Sequence, residues 1–325
     1  MRRGVFRLLA CGALFASGLM SLGSAAARPV NFIFLGGEGL ASAGNLLKRP
    51  DIVGFQVVYS WRQLEPQKDH YDFSAIDADL KRADAAHKKL FVQVQDRFFS
   101  RSARNVPEYL LHDPAYHGGL APQTDHAGEG RPVGHGWVTR QWDPAVRDRF
   151  QHLLTALGKR FDGRIYGLNL PETAFDMDEK HPPAGFSCDG YFHAELSNMA
   201  AARAAFPHSH VVQYVNFWPC EWNDSRHYMS RLFAFAIQHH IGLGGPDVVP
   251  WRKTQMKNSY PFFHADHDRL PLVAMAIQGP TLTYTDPKTG KPFTRAAITA
   301  FATDYLGADI LFWTRAAPWL KQSPQ

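Results

Sequence analysis

The sequence predicts an α/β protein built as one closed (β/α)8 TIM barrel in a single domain. Two observations carry this prediction. Short apolar runs of β-type residues recur eight times, and amphipathic helical stretches lie between them. The runs are 30–35, 53–59, 89–95, 165–170, 211–217, 241–244, 272–277 and 309–314. Each is short and nearly all apolar, as suits a parallel strand covered on both faces.

The helical stretches follow from spacing and end signals. In 76–87 the apolar residues Ile76, Leu80 and Ala83 recur at helical intervals. In 144–161, Val146, Phe150, Leu153, Leu154 and Leu157 form one stripe, with Asp143 as N-cap and Pro144 in the first turn. Three more are expected at 189–205, with Asp189 as cap, 225–239 and 294–306. Gly307 stands where a helix-ending glycine belongs. A doubly wound open sheet is the alternative, but Gly36-Gly37-Glu38-Gly39 after the first run lacks the G-x-G-x-x-G spacing of a phosphate loop. The long connection from Phe98 to Gln141 is rich in Gly, Pro and His. In a barrel it leaves the C-terminal end of a strand, so it is expected to wall or cover a cleft.

Residues 1–27 read as a secretory signal. Arg2, Arg3 and Arg7 precede an apolar run from Leu8 to Leu22, and small residues at Ser24–Ala27 suit cleavage near Ala27. A lipoprotein box at Cys11 and a twin-arginine signal at Arg2-Arg3 are weaker readings of the same segment. The mature domain is then 28–325, secreted or periplasmic, with no membrane span. The signal holds three arginines and no acid, so the formal charge drops from +5 to +2 on its removal. This balance gives no support to nucleic-acid binding. Cys188 and Cys220 remain, an even pair in an oxidising compartment, and suggest one disulfide; two free buried thiols are the alternative. No cofactor or metal site is expected. His264-Ala265-Asp266-His267-Asp268 lacks the spacing of a known metal site. The sequence is silent on oligomeric state.

Function in such a barrel is expected where the strands end. The eight ends carry Glu38, Trp61-Arg62, Gln95-Asp96-Arg97, Asn169 with Glu172, Asn216 with Trp218, Asp247, Gln278, and Trp313 with Arg315. Carboxylates, amides, arginines and indoles are the groups that grip hydroxyl-rich rings.

The segment Tyr59-Ser60-Trp61-Arg62-Gln63-Leu64-Glu65-Pro66, followed by Tyr71-Asp72-Phe73, resembles a recurrent stretch of retaining (β/α)8-barrel glycoside hydrolases. The resemblance covers residues 53–97; beyond them the chain agrees in strand order. It implies a general acid/base at the end of strand four, where Asn169 and Glu172 stand, separated by Leu170-Pro171. It also implies a sugar-platform Trp at strand eight, here Trp313. At strand seven the superfamily has a Glu nucleophile, and this chain has Gln278, which cannot act as a carboxylate. Glu172 is thus the expected catalytic acid and Asp247 the preferred second carboxylate, with Glu38 and Asp96 as other candidates. Arg62, Asp96, Asn169, Asn216, Gln278 and Arg315 are expected to bind hydroxyls, and Trp61, Trp218 and Trp313 to stack on rings. The plain alternatives are a loop-holding carboxylate for Glu172 and a Gly-Pro-Asp turn for Asp247. Glu65 reads as structural, tying down the loop after strand two. Two functions follow: an exported hydrolase of a poly- or oligosaccharide, or a catalytically degenerate carbohydrate-binding protein on the same scaffold.

Overall fold

The computed structural model describes residues 29–126, 132–178 and 180–324. The expected signal segment and Cys11 lie outside the described residues. Eleven strands are present among the described residues: β1 (Val30–Phe34), β2 (Gly54–Ser60), β3 (Lys89–Gln95), β4 (Arg97–Phe98), β5 (Leu120–His126), β6 (Pro132–Thr139), β7 (Gly167–Leu170), β8 (His210–Tyr214), β9 (Gly242–Gly245), β10 (Val273–Ile277) and β11 (Ile310–Thr314). Eight of them close a parallel barrel in the order β1-β11-β10-β9-β8-β7-β3-β2. Closure is made by β1 on β11, with Val30 beside Ile310 and Phe34 beside Thr314. The eight barrel strands are the eight predicted runs: β3 coincides at both ends, and the others differ by at most three residues at an end.

The helices pack outside this ring. The helix Pro144–Phe161 starts as predicted, with the Asp143 carboxylate accepting from Ala145 N and proline in the first turn. The next helix, Cys188–Ala205, is capped two residues earlier than expected. Ser187 accepts from Gly190 N, while Asp189 sits inside the first turn. The helix expected at 225–239 begins only at Tyr228. Asn223, Asp224 and His227 hold left-handed backbone before it. The Glu221 carboxylate then receives Tyr228 N at 2.7 Å and Met229 N at 3.0 Å, satisfying two free amides of the first turn.

The long connection after β3 is more ordered than its composition suggests. It builds a three-stranded antiparallel sheet in the order β4-β6-β5 and a short helix, Glu108–His112. Cys188 and Cys220 form a disulfide that ties the start of one helix to the connection after β8. Among the described residues, no helix is long and apolar enough to cross a membrane.

Candidate active site at the barrel mouth

The interior of the barrel has two storeys, and sequence alternation builds both. Side chains of a strand point alternately inward and outward. On the lower storey the inward residues are apolar: Phe32, Phe91, Val212, Leu272, Ala274, Ile310 and Phe312. Phe91 meets Phe312 edge-on at 5.2 Å and Phe32 at 6.3 Å. These rings fit because neighbouring strands carry glycine. A Cβ on Gly167 would stand 2.4 Å from the Phe91 ring, and one on Gly54 would stand 2.4 Å from the Phe32 ring.

One step nearer the C-terminal end the inward residues turn polar. Gln56, Gln93, Asn169 and Tyr214 are all buried there. Gln56 Nε2 donates to the Tyr214 hydroxyl at 3.0 Å and to Asn169 Oδ1 at 3.4 Å. Asn169 Nδ2 donates to Leu170 O at 2.7 Å. Above this floor, Gln95, Asn216, Gln278 and Thr314 continue the inward alternation of their strands and are half-buried, as are Glu172 and Asp247 on the connections after β7 and β9.

Glu172 is held by its flanks. Each neighbouring backbone group is gripped by a buried side chain. Gln213 Nε2 donates to Pro171 O. The Tyr191 hydroxyl donates to Thr173 O at 2.9 Å, and Arg97 Nη1 to Ala174 O at 3.1 Å. Thr173 N donates to Tyr214 O at 3.0 Å, and its hydroxyl to Phe217 O at 2.9 Å. Arg97 is fully buried beside Asp96 (3.2 Å) and Glu195 (3.6 Å). Burial opposes its charge, but Tyr191, Asp96, Glu195 and Glu172 together hold its pKa above the usual value. Burial pushes the Glu195 carboxyl up to about 7; Arg97 acts against this and Asp96 adds to it.

Asp247 follows β9, on the far side of β8 from Glu172. Its carbonyl receives the Tyr260 hydroxyl at 3.0 Å, and its carboxylate receives Thr281 Oγ1 at 3.5 Å. Burial raises the pKa of Tyr214 strongly, and the Asp247 charge contributes in the same direction. Asn216 Oδ1 receives Gln255 Nε2 at 3.5 Å. At the rim, Arg315 pairs with Glu38, both exposed, so the connections after β11 and β1 are linked.

Several predicted contacts sit elsewhere. Trp61, Trp218 and Trp313 are at most 2% exposed, and none offers a ring face to solvent. The reason is direction: each points outward from the ring into the helix layer. Trp61 packs on Phe150 and donates to Glu65 Oε2 at 2.8 Å. Trp218 is walled by Tyr191, Phe192 and Tyr228. Trp313 donates to Asn31 Oδ1 at 2.9 Å and meets Trp319. Asp96 is buried too, bonded to Arg97 and to Gln141 Nε2 at 2.8 Å, away from the opening. Arg62 turns from the mouth to pair with Glu108 and lines a separate cleft of about 510 Å³ with Arg104 and Trp137. Glu65 is fully buried, receives Asp69 N at 3.0 Å and pairs with Arg149 at 2.6 Å, so it does tie down its loop.

Sequence reasoning missed Gln56, Gln93 and Tyr214 on the floor and the Arg97–Tyr191–Gln213 clamp. A signal for the floor was present: glutamine two residues after an inward aromatic or glycine in an otherwise apolar strand. It also missed the exposed aromatics. Phe99, Trp222 and Trp251 are 49%, 50% and 55% exposed, on connections that follow barrel strands.

No protein-family model matches the chain, and no curated protein matches it. Solved structures do. A GH10 endoxylanase retrieved from a sugarcane soil metagenome superposes with TM-score 0.52 at 11% identity, covering 88% of this chain and 86% of that one. Xylanase 10B from Thermotoga petrophila, solved with xylobiose, gives 0.51 at 9% identity, covering 88% and 82%. A thermostable mutant of a xylanase from Cellvibrio japonicus gives 0.51 at 12% identity, covering 89% and 87%. At such identities the likeness is one of fold alone, the closed parallel (β/α)8 barrel.

Proposed function

We propose that this protein is an exported glycoside hydrolase that cleaves a poly- or oligosaccharide at the C-terminal mouth of its barrel. The observation that carries the reading is the pair of half-buried carboxylates, Glu172 after β7 and Asp247 after β9, above an amide-lined floor. Glu172 is the general acid that protonates the glycosidic oxygen, and Asp247 is the partner carboxylate. The two attachment points flank β8, so they lie about two strand spacings, roughly 9–10 Å, apart. Side chains of this length reach across such a gap. Asn216 and Gln278 are the hydroxyl-binding groups of the rim, and Asn169 belongs to the floor. Trp222, half exposed on the connection after β8, is the candidate ring platform in place of the three buried indoles. Export is supported by the disulfide, since such bonds persist in oxidising compartments.

The test is reducing-sugar release from a panel of xylans, glucans and galactans. Glu172→Gln should abolish turnover, at least about 100-fold, with an unchanged circular dichroism spectrum. Activity that survives this substitution would remove Glu172 from the chemistry. Gln278 favours a second reading: with an amide at the strand-seven mouth, the barrel binds saccharide without cleaving it. That reading requires saccharide affinity in the wild type, no turnover, and affinity retained in Glu172→Gln.

A further inference from the structure

The floor of the mouth contains one side chain whose chemistry the protein leaves unused. Gln93 is 8% exposed. It follows Phe91 by two residues on β3, and Phe91 belongs to the interior cluster. The two-residue period therefore aims Gln93 inward, one step closer to the opening. In the ladders it stands beside Val58 of β2 and Asn169 of β7. Its polar neighbours are occupied with one another: Gln56 with Tyr214 and Asn169, and Asn169 with Leu170 O. Gln93 Oε1 is buried and receives no hydrogen bond from any described residue. A buried amide oxygen without a donor is disfavoured, and protein interiors rarely keep one. Packing gives no reason for it, since leucine or methionine would fill the same inward position without a polar atom.

We propose that Gln93 is the specificity-determining floor contact of the mouth, its Oε1 accepting a hydrogen bond from a hydroxyl of a bound sugar ring. The inference rests on the carbohydrate reading above and deepens it, naming the acceptor and the kind of ligand group it selects. The surroundings define that group. An anionic substituent is disfavoured, because an amide oxygen offers it an acceptor and no proton. An apolar substituent leaves Oε1 as unsatisfied as before. A neutral hydroxyl donates to Gln93 and can still accept from a neighbouring amide such as that of Gln95. The opposite part of the interior is apolar or small, with Phe34, Gly244, Ala276 and Phe312 on β1, β9, β10 and β11. A ring with one hydroxylated edge and one C–H face fits this division.

The experiment is saturation-transfer NMR of the full chain with the methyl β-glycosides of xylose, glucose and galactose, and with the monodeoxy derivatives of whichever binds. Gln93→Leu should weaken the best probe at least about tenfold, because a site built around a polar contact discriminates through it. One deoxy derivative should bind the wild type equally poorly and lose nothing further in Gln93→Leu. If leucine lowers the melting temperature, Gln93→Met, an unbranched apolar replacement, takes its place. Equal affinity of wild type and both variants for the probe would overturn the role of Gln93 while leaving the carbohydrate reading intact. A wild type that binds none of the probes would overturn both.

Discussion

The two storeys of the barrel interior contrast in a way that separates folding from function. The lower one is a cluster of rings and aliphatic side chains, with glycines opposite the rings. Each contact there removes apolar surface from water and leaves no polar atom buried. The upper one is a network of two amides and a phenol, with a third amide beside it whose oxygen has no partner among the described residues. Polar groups in such a place add little net stability, so their presence requires another explanation. The lower storey closes the ring, and the upper storey meets whatever enters it.

The contrast can be broken at its base. Phe91→Ala should cost about 3–5 kcal/mol, as for a large aromatic truncated in a tight core. Urea denaturation followed by circular dichroism measures this loss. A cost under about 1 kcal/mol would show that the lower cluster does not hold the barrel together.

A second prediction concerns the clamp behind Glu172. The Glu195 carboxyl is pushed up to about 7 by burial, from 4.5 in an exposed setting. The folded protein then holds this proton more tightly than the unfolded chain. Its contribution to stability is complete below about pH 4.5, falls as the pH rises to about 7, and is constant above. The shift corresponds to something on the order of 3 kcal/mol across that window. Glu195→Gln should flatten the dependence of melting temperature on pH between 4.5 and 7. An unaltered slope in this variant would remove Glu195 as its source.

The smallest effect is expected on the floor. Gln56→Leu deletes the bonds to Tyr214 and Asn169 and leaves their polar atoms without that partner. A loss of about 1–3 kcal/mol follows, less than for Phe91→Ala. Affinity for the best methyl glycoside should fall more sharply than stability does, since Tyr214 and Asn169 are then free to turn. Unchanged affinity would show that the floor network serves folding alone.

Much of this was legible before any coordinates. The eight apolar runs became the eight barrel strands, because a strand covered on both faces must be apolar wherever it lies in the chain. The helix at 144–161 was readable from its Asp-Pro start and its stripe, which are local signals. The indoles were misread for a related reason. Trp61, Trp218 and Trp313 do stand at strand ends, but strand-end position does not say which side of the ring a side chain takes. A difference of one residue decides between solvent-lined mouth and helix-covered core, and Trp313, next to the inward Phe312, takes the outer side.

The sequence by itself determined the ring of parallel strands, the order of its helices and the two cysteines able to pair, since periodicity and end signals act over a few residues. Only the tertiary structure decided that Arg97, Tyr191 and Gln213 converge on the residues flanking Glu172, and that Gln93 faces the opening beside a network already satisfied. These groups come from β3, β4, β8 and the helix Cys188–Ala205, most of them far apart in the chain, and closure of the barrel is the physical event that brings them to one place.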